Sequence, residues 1–157
     1  MSDTNTHVSR RRFCAGACHV ASGATIATLF PACGGESPTS PSGMASMLAV
    51  LSGRFAGSAV QVNVAGSPLA DAGGAALIQS IAGVFLLSRT STTAFTAIDA
   101  TCTHEGCTIT GADGAGYVCP CHGSRYNRNG QVLAGPARAS LRQYPASFAD
   151  GVVTISL

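Results

Sequence analysis

Every cysteine and histidine after Cys33 falls in two short runs. The first reads C-T-H-E-G-C, Cys102 to Cys107, and the second C-P-C-H-G-S, Cys119 to Ser124. An eleven-residue connector, Thr108 to Val118, separates them. The runs hold four cysteines and two histidines, so any fold of this chain has to accommodate six metal-binding or crosslinking side chains on two neighbouring segments. Two neutral imidazoles and two thiolates suit the two irons of a mixed-ligand [2Fe–2S] cluster, with two histidines on one iron and two cysteines on the other. The other two cysteines are then free to form a disulfide. A structural zinc site is the competing reading, since Cys₂His₂ sets are common. One zinc needs four ligands where six candidates converge, and neither run has the C-x₂₋₄-C plus H-x₃₋₅-H spacing of a finger. Disulfides alone leave both histidines without a role.

The two runs resemble the paired boxes of the Rieske iron–sulfur proteins, in the subclass that bears a disulfide. The likeness extends from about Ala59 to Leu157. It implies that Cys102 and His104 are ligands from the first box, and Cys119 and His122 ligands from the second. It implies that Cys107 and Cys121 form a disulfide tying the two cluster loops together. Ser124 and Tyr126 match family positions whose hydroxyls donate hydrogen bonds to sulfur. Such donors favour the reduced, more negative state and so raise the potential. The ligand set acts in the same direction. Two ferric ions, two sulfides and two thiolates sum formally to zero, and an electron joins a neutral centre more easily than a negative one. Gly135-Pro136-Ala137 resembles the proline-containing loop that covers the cluster from a third side; glycine and proline also favour ordinary turns.

One residue departs from the quinol-oxidising pattern. Many members of that group carry an apolar residue, often leucine, between histidine and glycine of the first box. Here it is Glu105. A carboxylate resists burial in an apolar pocket. It weakens the case for quinol as the direct donor and leaves the cluster assignment untouched.

The N-terminus supplies a second kind of signal. Ser9-Arg10-Arg11-Arg12-Phe13 fits the twin-arginine export pattern S-R-R-x-F, and a moderately apolar stretch follows from Cys14 to Ala32. That route carries a protein folded, with its cluster in place, to a compartment where a disulfide persists. Phe13 aside, nothing aromatic accompanies the arginines and no further arginine follows before Arg54, so a nucleic-acid partner is not expected. His19, several glycines and few large aliphatics make the stretch read as a signal more than a permanent span; an uncleaved anchor is the alternative. The run L-F-P-A-C-G-G resembles a bacterial lipoprotein box and makes Cys33 a candidate lipidation site. Membrane association through the N-terminus is expected.

The expected organisation is an export signal over residues 1–33, a flexible linker over 34–46 and a single domain over 47–157, with its cluster-binding part at about 101–137. The linker G-G-E-S-P-T-S-P-S-G holds no large apolar residue. There is no lysine: all nine basic residues are arginine. After Cys33, six arginines face six acids, so net charge gives no long-range steering. Strand patterns run over Ser58–Val64, Val84–Ser88, Ala94–Ile98, Tyr117–Val118, Gln131–Leu133 and Val152–Ser156. Asp150-Gly151 is a hairpin signal. No long amphipathic helix follows the signal. The expectation is an all-β domain; the Rieske resemblance implies antiparallel sheets with the cluster subdomain carried on two loops.

The function expected on these grounds is one-electron transfer through one high-potential [2Fe–2S] cluster at the periplasmic face of a bacterial cytoplasmic membrane or in the cell envelope. The leading context is the iron–sulfur subunit of a quinol–cytochrome c reductase, with a cytochrome c or cytochrome b-type subunit, and quinol, as partners. The alternatives are an arsenite-oxidase-like small subunit or a free-standing carrier lipoprotein. The rival from another class is a zinc- or disulfide-stabilised binding module.

Overall fold

The computed structural model describes residues 45–114 and 116–157. In chain order the strands are β1 (Ser46–Met47), β2 (Ala49–Ser52), β3 (Arg54–Ala56), β4 (Ala59–Asn63), β5 (Ala75–Ser80), β6 (Gly83–Arg89) and β7 (Phe95–Asp99). They continue with β8 (Gly111–Ala112), β9 (Gly116–Val118), β10 (Arg125–Asn127), β11 (Val132–Ala134), β12 (Gln143–Tyr144), β13 (Ala146–Ala149) and β14 (Val152–Ser156). Three sheets result, ordered β1-β8-β9-β10-β11, β12-β7-β6-β5-β2 and β13-β14-β4-β3. The one helical element among the described residues is a 3₁₀ turn at Pro68–Ala70, capped by the Ser67 hydroxyl.

The all-β expectation holds, and each of the six expected strands is present with boundaries shifted by a residue or so. Alternation explains β4 and β14. Val60 and Val62 are buried while Gln61 and Asn63 are exposed, and in register Val62 faces Val153 and Val60 faces Ile155. The Asp150-Gly151 pair closes a two-residue hairpin between β13 and β14, with both residues at positive φ (50° and 75°). Such turns match the twist of the strands they join. One pairing departs from the antiparallel expectation: β2 runs parallel to β5. The chain leaves β2, forms β3 and β4 in another sheet, and returns through the 3₁₀ turn, which supplies the long crossover a parallel pair needs.

The middle sheet serves two cores at once. Side chains alternate across a strand. The row Leu77, Leu86 and Ile98 lies in register on one face. It packs with Ile109, Tyr117, Tyr126 and Leu141 beneath the two boxes. Ala76, Leu87 and Ala97 lie on the other face, with Ile78 and Phe85, and pack against Val60, Val62, Val153 and Ile155. Hence β6 reads as an unbroken apolar run rather than an alternating one. Leu86→Ala is expected to cost about 2–5 kcal/mol of stability, the range for a fully buried large-to-small change. Urea unfolding measures it, and a cost below about 1 kcal/mol contradicts this account of the core.

The expected signal over residues 1–33, and Cys33 with it, lies outside the described residues, as does the linker up to residue 44. Ser46 was expected in the linker, yet it pairs with Ala112 in β1, so the domain takes up the chain slightly earlier. Among the described residues no helix is long and apolar enough to cross a membrane.

Candidate metal centre

Both boxes fold into the same turn. In the first, the Gly106 N–H donates to the Cys102 carbonyl (2.9 Å) and the Cys102 N–H donates to the Cys107 carbonyl (2.8 Å). In the second, the Gly123 N–H donates to the Cys119 carbonyl (3.1 Å) and the Cys119 N–H to the Ser124 carbonyl (2.8 Å). Each turn closes on a glycine four residues after its first cysteine, at φ 75° for Gly106 and 70° for Gly123. That left-handed backbone favours glycine. The C-x-H-x-G and C-x-x-H-G spacings are thus two ways of decorating one turn.

The turns stand side by side. Thr101 and Thr108 bridge the base of the first, and a Cys107–Cys121 disulfide joins the two. Cys102 and Cys119 are free and almost fully buried (3% and 1% exposed). The imidazoles of His104 and His122 lie on the outside, with 27% and 47% of their side chains exposed. Their Nδ1 atoms face each other at 3.3 Å and the rings stand nearly perpendicular. The site therefore has a sulfur side within and a nitrogen side without.

This division bears on which metal group fits. Tetrahedral zinc with bonds near 2.3 Å holds its donors within about 4 Å of one another. Among the described residues, the sets whose donor atoms all fall within 4.8 Å are Cys107, Cys119 and Cys121, and His104, Glu105 and His122. Neither joins two free thiols to two imidazoles, and the first contains the disulfide. A two-iron unit with sulfur ligands on one metal and nitrogen ligands on the other suits the arrangement.

Hydrogen bonds to sulfur come from β10 and the turn before it. The Tyr126 hydroxyl lies 3.3 Å from Cys102 Sγ. Burial opposes the Cys102 thiolate, but the bond from Tyr126, a backbone donor at His104 and the hydroxyl of Ser124 outweigh it, and the thiol lies below its ordinary value. Burial pushes the Cys119 thiol up, with Cys102 beside it acting in the same sense. Burial and the bond to Cys102 raise the Tyr126 phenol, which keeps its proton as a donor. The Ser124 hydroxyl also accepts from the Ala137 N–H (3.2 Å), which seats the Gly135-Pro136 segment against the second box. A Cβ on Gly135 would meet Ser124 Cα at 2.6 Å, and its φ of 93° favours glycine as well.

Thr103 carries no mark in the sequence pattern, yet it holds the site together. Its N–H donates to the Tyr126 hydroxyl oxygen (3.2 Å), and its own hydroxyl donates to the Ala139 carbonyl (2.6 Å). It ties the first box to β10 and to the segment that follows β11 at once. Thr103, His104, Gly135, Pro136, Arg138 and Ala139 line a cleft of about 460 Å³ open to solvent. The Glu105 carboxylate sits 3.9 Å from His104 and 3.6 Å from His122, beside the imidazoles rather than in an apolar setting.

An all-β domain with a mixed sulfur–nitrogen centre on two crosslinked loops is the class that fold and site define. The model of the Rieske [2Fe-2S] domain matches residues 53–145, a span that includes both boxes, and the chain belongs to that family. It carries one [2Fe–2S] cluster. The chain is 38% identical over 63 residues to the cytochrome b6-f complex iron-sulfur subunit of Chlorobaculum tepidum, covering 40% of this chain and 35% of that protein. It is 47% identical over 60 residues to the subunit of the same description from Prochlorococcus marinus (strain MIT 9211), covering 38% of this chain and 34% of that one. The chain thus spans about a third of the length of these curated relatives. Among solved structures, the plasma membrane Rieske protein of Synechocystis PCC 6803 matches with a TM-score of 0.47 and 27% identity, over 53% of this chain and 86% of that one.

Proposed function

We propose that this chain is a high-potential electron carrier of the disulfide-bearing kind, acting as the iron–sulfur subunit of a quinol–cytochrome c reductase in a bacterial respiratory chain. Cys102 and Cys119 hold one iron and His104 and His122 the other. When bound, the cluster supplies a one-electron couple. The chain's own residues set its potential and its access. The observation that carries the reading is the Cys107–Cys121 crosslink between the boxes, together with the hydroxyl donors aimed at Cys102. The cytochrome-complex setting of the relatives from Chlorobaculum and Prochlorococcus supports a cytochrome partner. The twin-arginine pattern and the lipoprotein-like box at Cys33 support export to the periplasmic face and attachment to the membrane there.

A second reading has its own support. The Glu105 carboxylate lies against both imidazoles, at the edge an apolar quinol pocket would have to cover. That favours an arsenite-oxidase-like small subunit or a free-standing carrier lipoprotein.

Redox titration followed by electron spin resonance tests the main reading. Rieske centres span about −150 to +300 mV, and this one is expected in the upper half. A potential near the bottom of that range overturns the high-potential assignment. Tyr126→Phe is expected to lower the potential with the cluster intact. If the hydroxyl contributes about 1.4 kcal/mol more to the reduced state, the shift is roughly 59 mV for one electron. An unchanged potential removes the tuning role of Tyr126. Rapid reduction of the purified protein by a quinol, against none, separates the reductase subunit from the second reading.

A further inference from the structure

We infer that Arg138 is a docking anchor for a carboxylate on the surface of the protein that exchanges electrons with this chain. The inference rests on the electron-carrier reading above and adds the charge of the partner.

Most arginines of the domain are engaged within it. Arg89 reaches the carbonyls of Leu69, Ala70 and Thr92 and lies over Phe95 and Phe148. Arg125 pairs with Asp113, Arg128 lies over Tyr117, and Arg142 over Tyr144. Arg138 is exposed, and among the described residues it makes no hydrogen bond or ion pair. It also lines the cleft that His104 lines.

Its backbone is held on both sides. The Ala137 N–H is bound by the Ser124 hydroxyl, and the Ala139 carbonyl by the Thr103 hydroxyl. Both holding side chains come from the boxes themselves. A cation on so fixed a segment loses little backbone freedom when a partner arrives. Its planar fork of donors matches a carboxylate in two-point contact. The cleft is open to solvent, which suits a side chain reaching in from another protein. Glu105 lies on the histidines' side of the same edge. The edge is therefore bipolar. A partner with an acid opposite Arg138 and no acid opposite Glu105 docks in one orientation, with His104 at the contact. Opposite charges placed this way raise encounter rates and reject mismatched partners.

The test compares holoprotein with Arg138→Gln and Arg138→Glu, using two c-type cytochromes, one acidic and one basic around the haem edge. Electron transfer from the reduced protein is followed by stopped flow across a range of ionic strengths. Wild type is expected to react faster with the acidic cytochrome, more slowly as salt rises. Arg138→Gln is expected to slow that reaction about tenfold and to flatten its salt dependence. The reduction potential stays the same, and so does the rate with the basic cytochrome to within about twofold. Arg138→Glu is expected to reverse the preference. An unchanged rate and salt slope in Arg138→Gln overturns the inference, and so does an equal loss with both cytochromes. Binding of a redox-inert, zinc-substituted acidic cytochrome separates the two readings. If that binding depends on Arg138 while no electron passes from wild type to either native cytochrome, the anchor stands and the carrier reading falls. If inorganic phosphate binds at Arg138 and the zinc-substituted cytochrome does not, the anchor falls.

Discussion

Cys119→Ala protein is expected to purify without visible colour and with neither iron nor acid-labile sulfide, while wild type holds two of each per chain. The two free thiols lie together beneath the boxes, and their environments oppose each other. The bonds from Tyr126 and Ser124 favour charge on Cys102; burial and the neighbouring Cys102 disfavour it on Cys119. Two thiolates are not sustained side by side in such a place unless a positive centre compensates them, and metal binding supplies that compensation. Removing Cys119 removes one of the two proposed sulfur ligands from a pocket that offers no substitute. Cys107 and Cys121, whose sulfurs also lie near it, are already joined in the disulfide. Iron and sulfide assays with the spin resonance of the reduced protein give the answer. Full iron content in Cys119→Ala rules out its role as a ligand, and stoichiometric zinc without labile sulfide in wild type rules out the cluster.

The second large effect is expected from the crosslink. Cys107→Ser combined with Cys121→Ser opens a loop whose ends are 14 residues apart. Closing a loop of about 15 residues restricts the unfolded chain by roughly 3 kcal/mol. For a domain of this size that corresponds to a fall in Tm of roughly 10–20 °C. The crosslink also fixes one box against the other, and the four proposed ligands are divided between them. The double variant is therefore expected to lose iron to a chelator at least tenfold faster than wild type, since one box can now open without the other. Calorimetry and chelator-release kinetics measure the two effects. An unchanged Tm together with unchanged release shows that the hydrogen-bonded turns hold the boxes alone.

What could be read from the sequence follows from what is local. The hairpin at Asp150-Gly151 requires positive φ at two successive residues, and few residue pairs supply it. The valines of β4 alternate because one face meets β14 and the second core while the other meets solvent. The boxes were legible because every cysteine and histidine after Cys33 lies in them. By contrast, β5 has buried residues on both faces and carries no alternation, so Ala75–Ser80 left no pattern to find. The short strands β1, β8 and β12 exist through their partners rather than their own residues. Thr103 was hidden for a related reason. Its partners are 23 and 36 residues away, and a lone threonine gives no sign of them.

The inward sulfurs and outward imidazoles have a consequence for traffic through the protein. Cys102 and Cys119 are sealed from solvent by the core, while His104 and His122 reach it. In the carrier role proposed above, such a chain has one terminal, not two. Whatever loads it and whatever unloads it must use the same edge, so the two cannot be seated together. Delivery becomes a sequence of visits, and an excess of either visitor blocks the other. Throughput is then set by how quickly each departs, and weak, salt-sensitive docking becomes an asset to the chain rather than a defect.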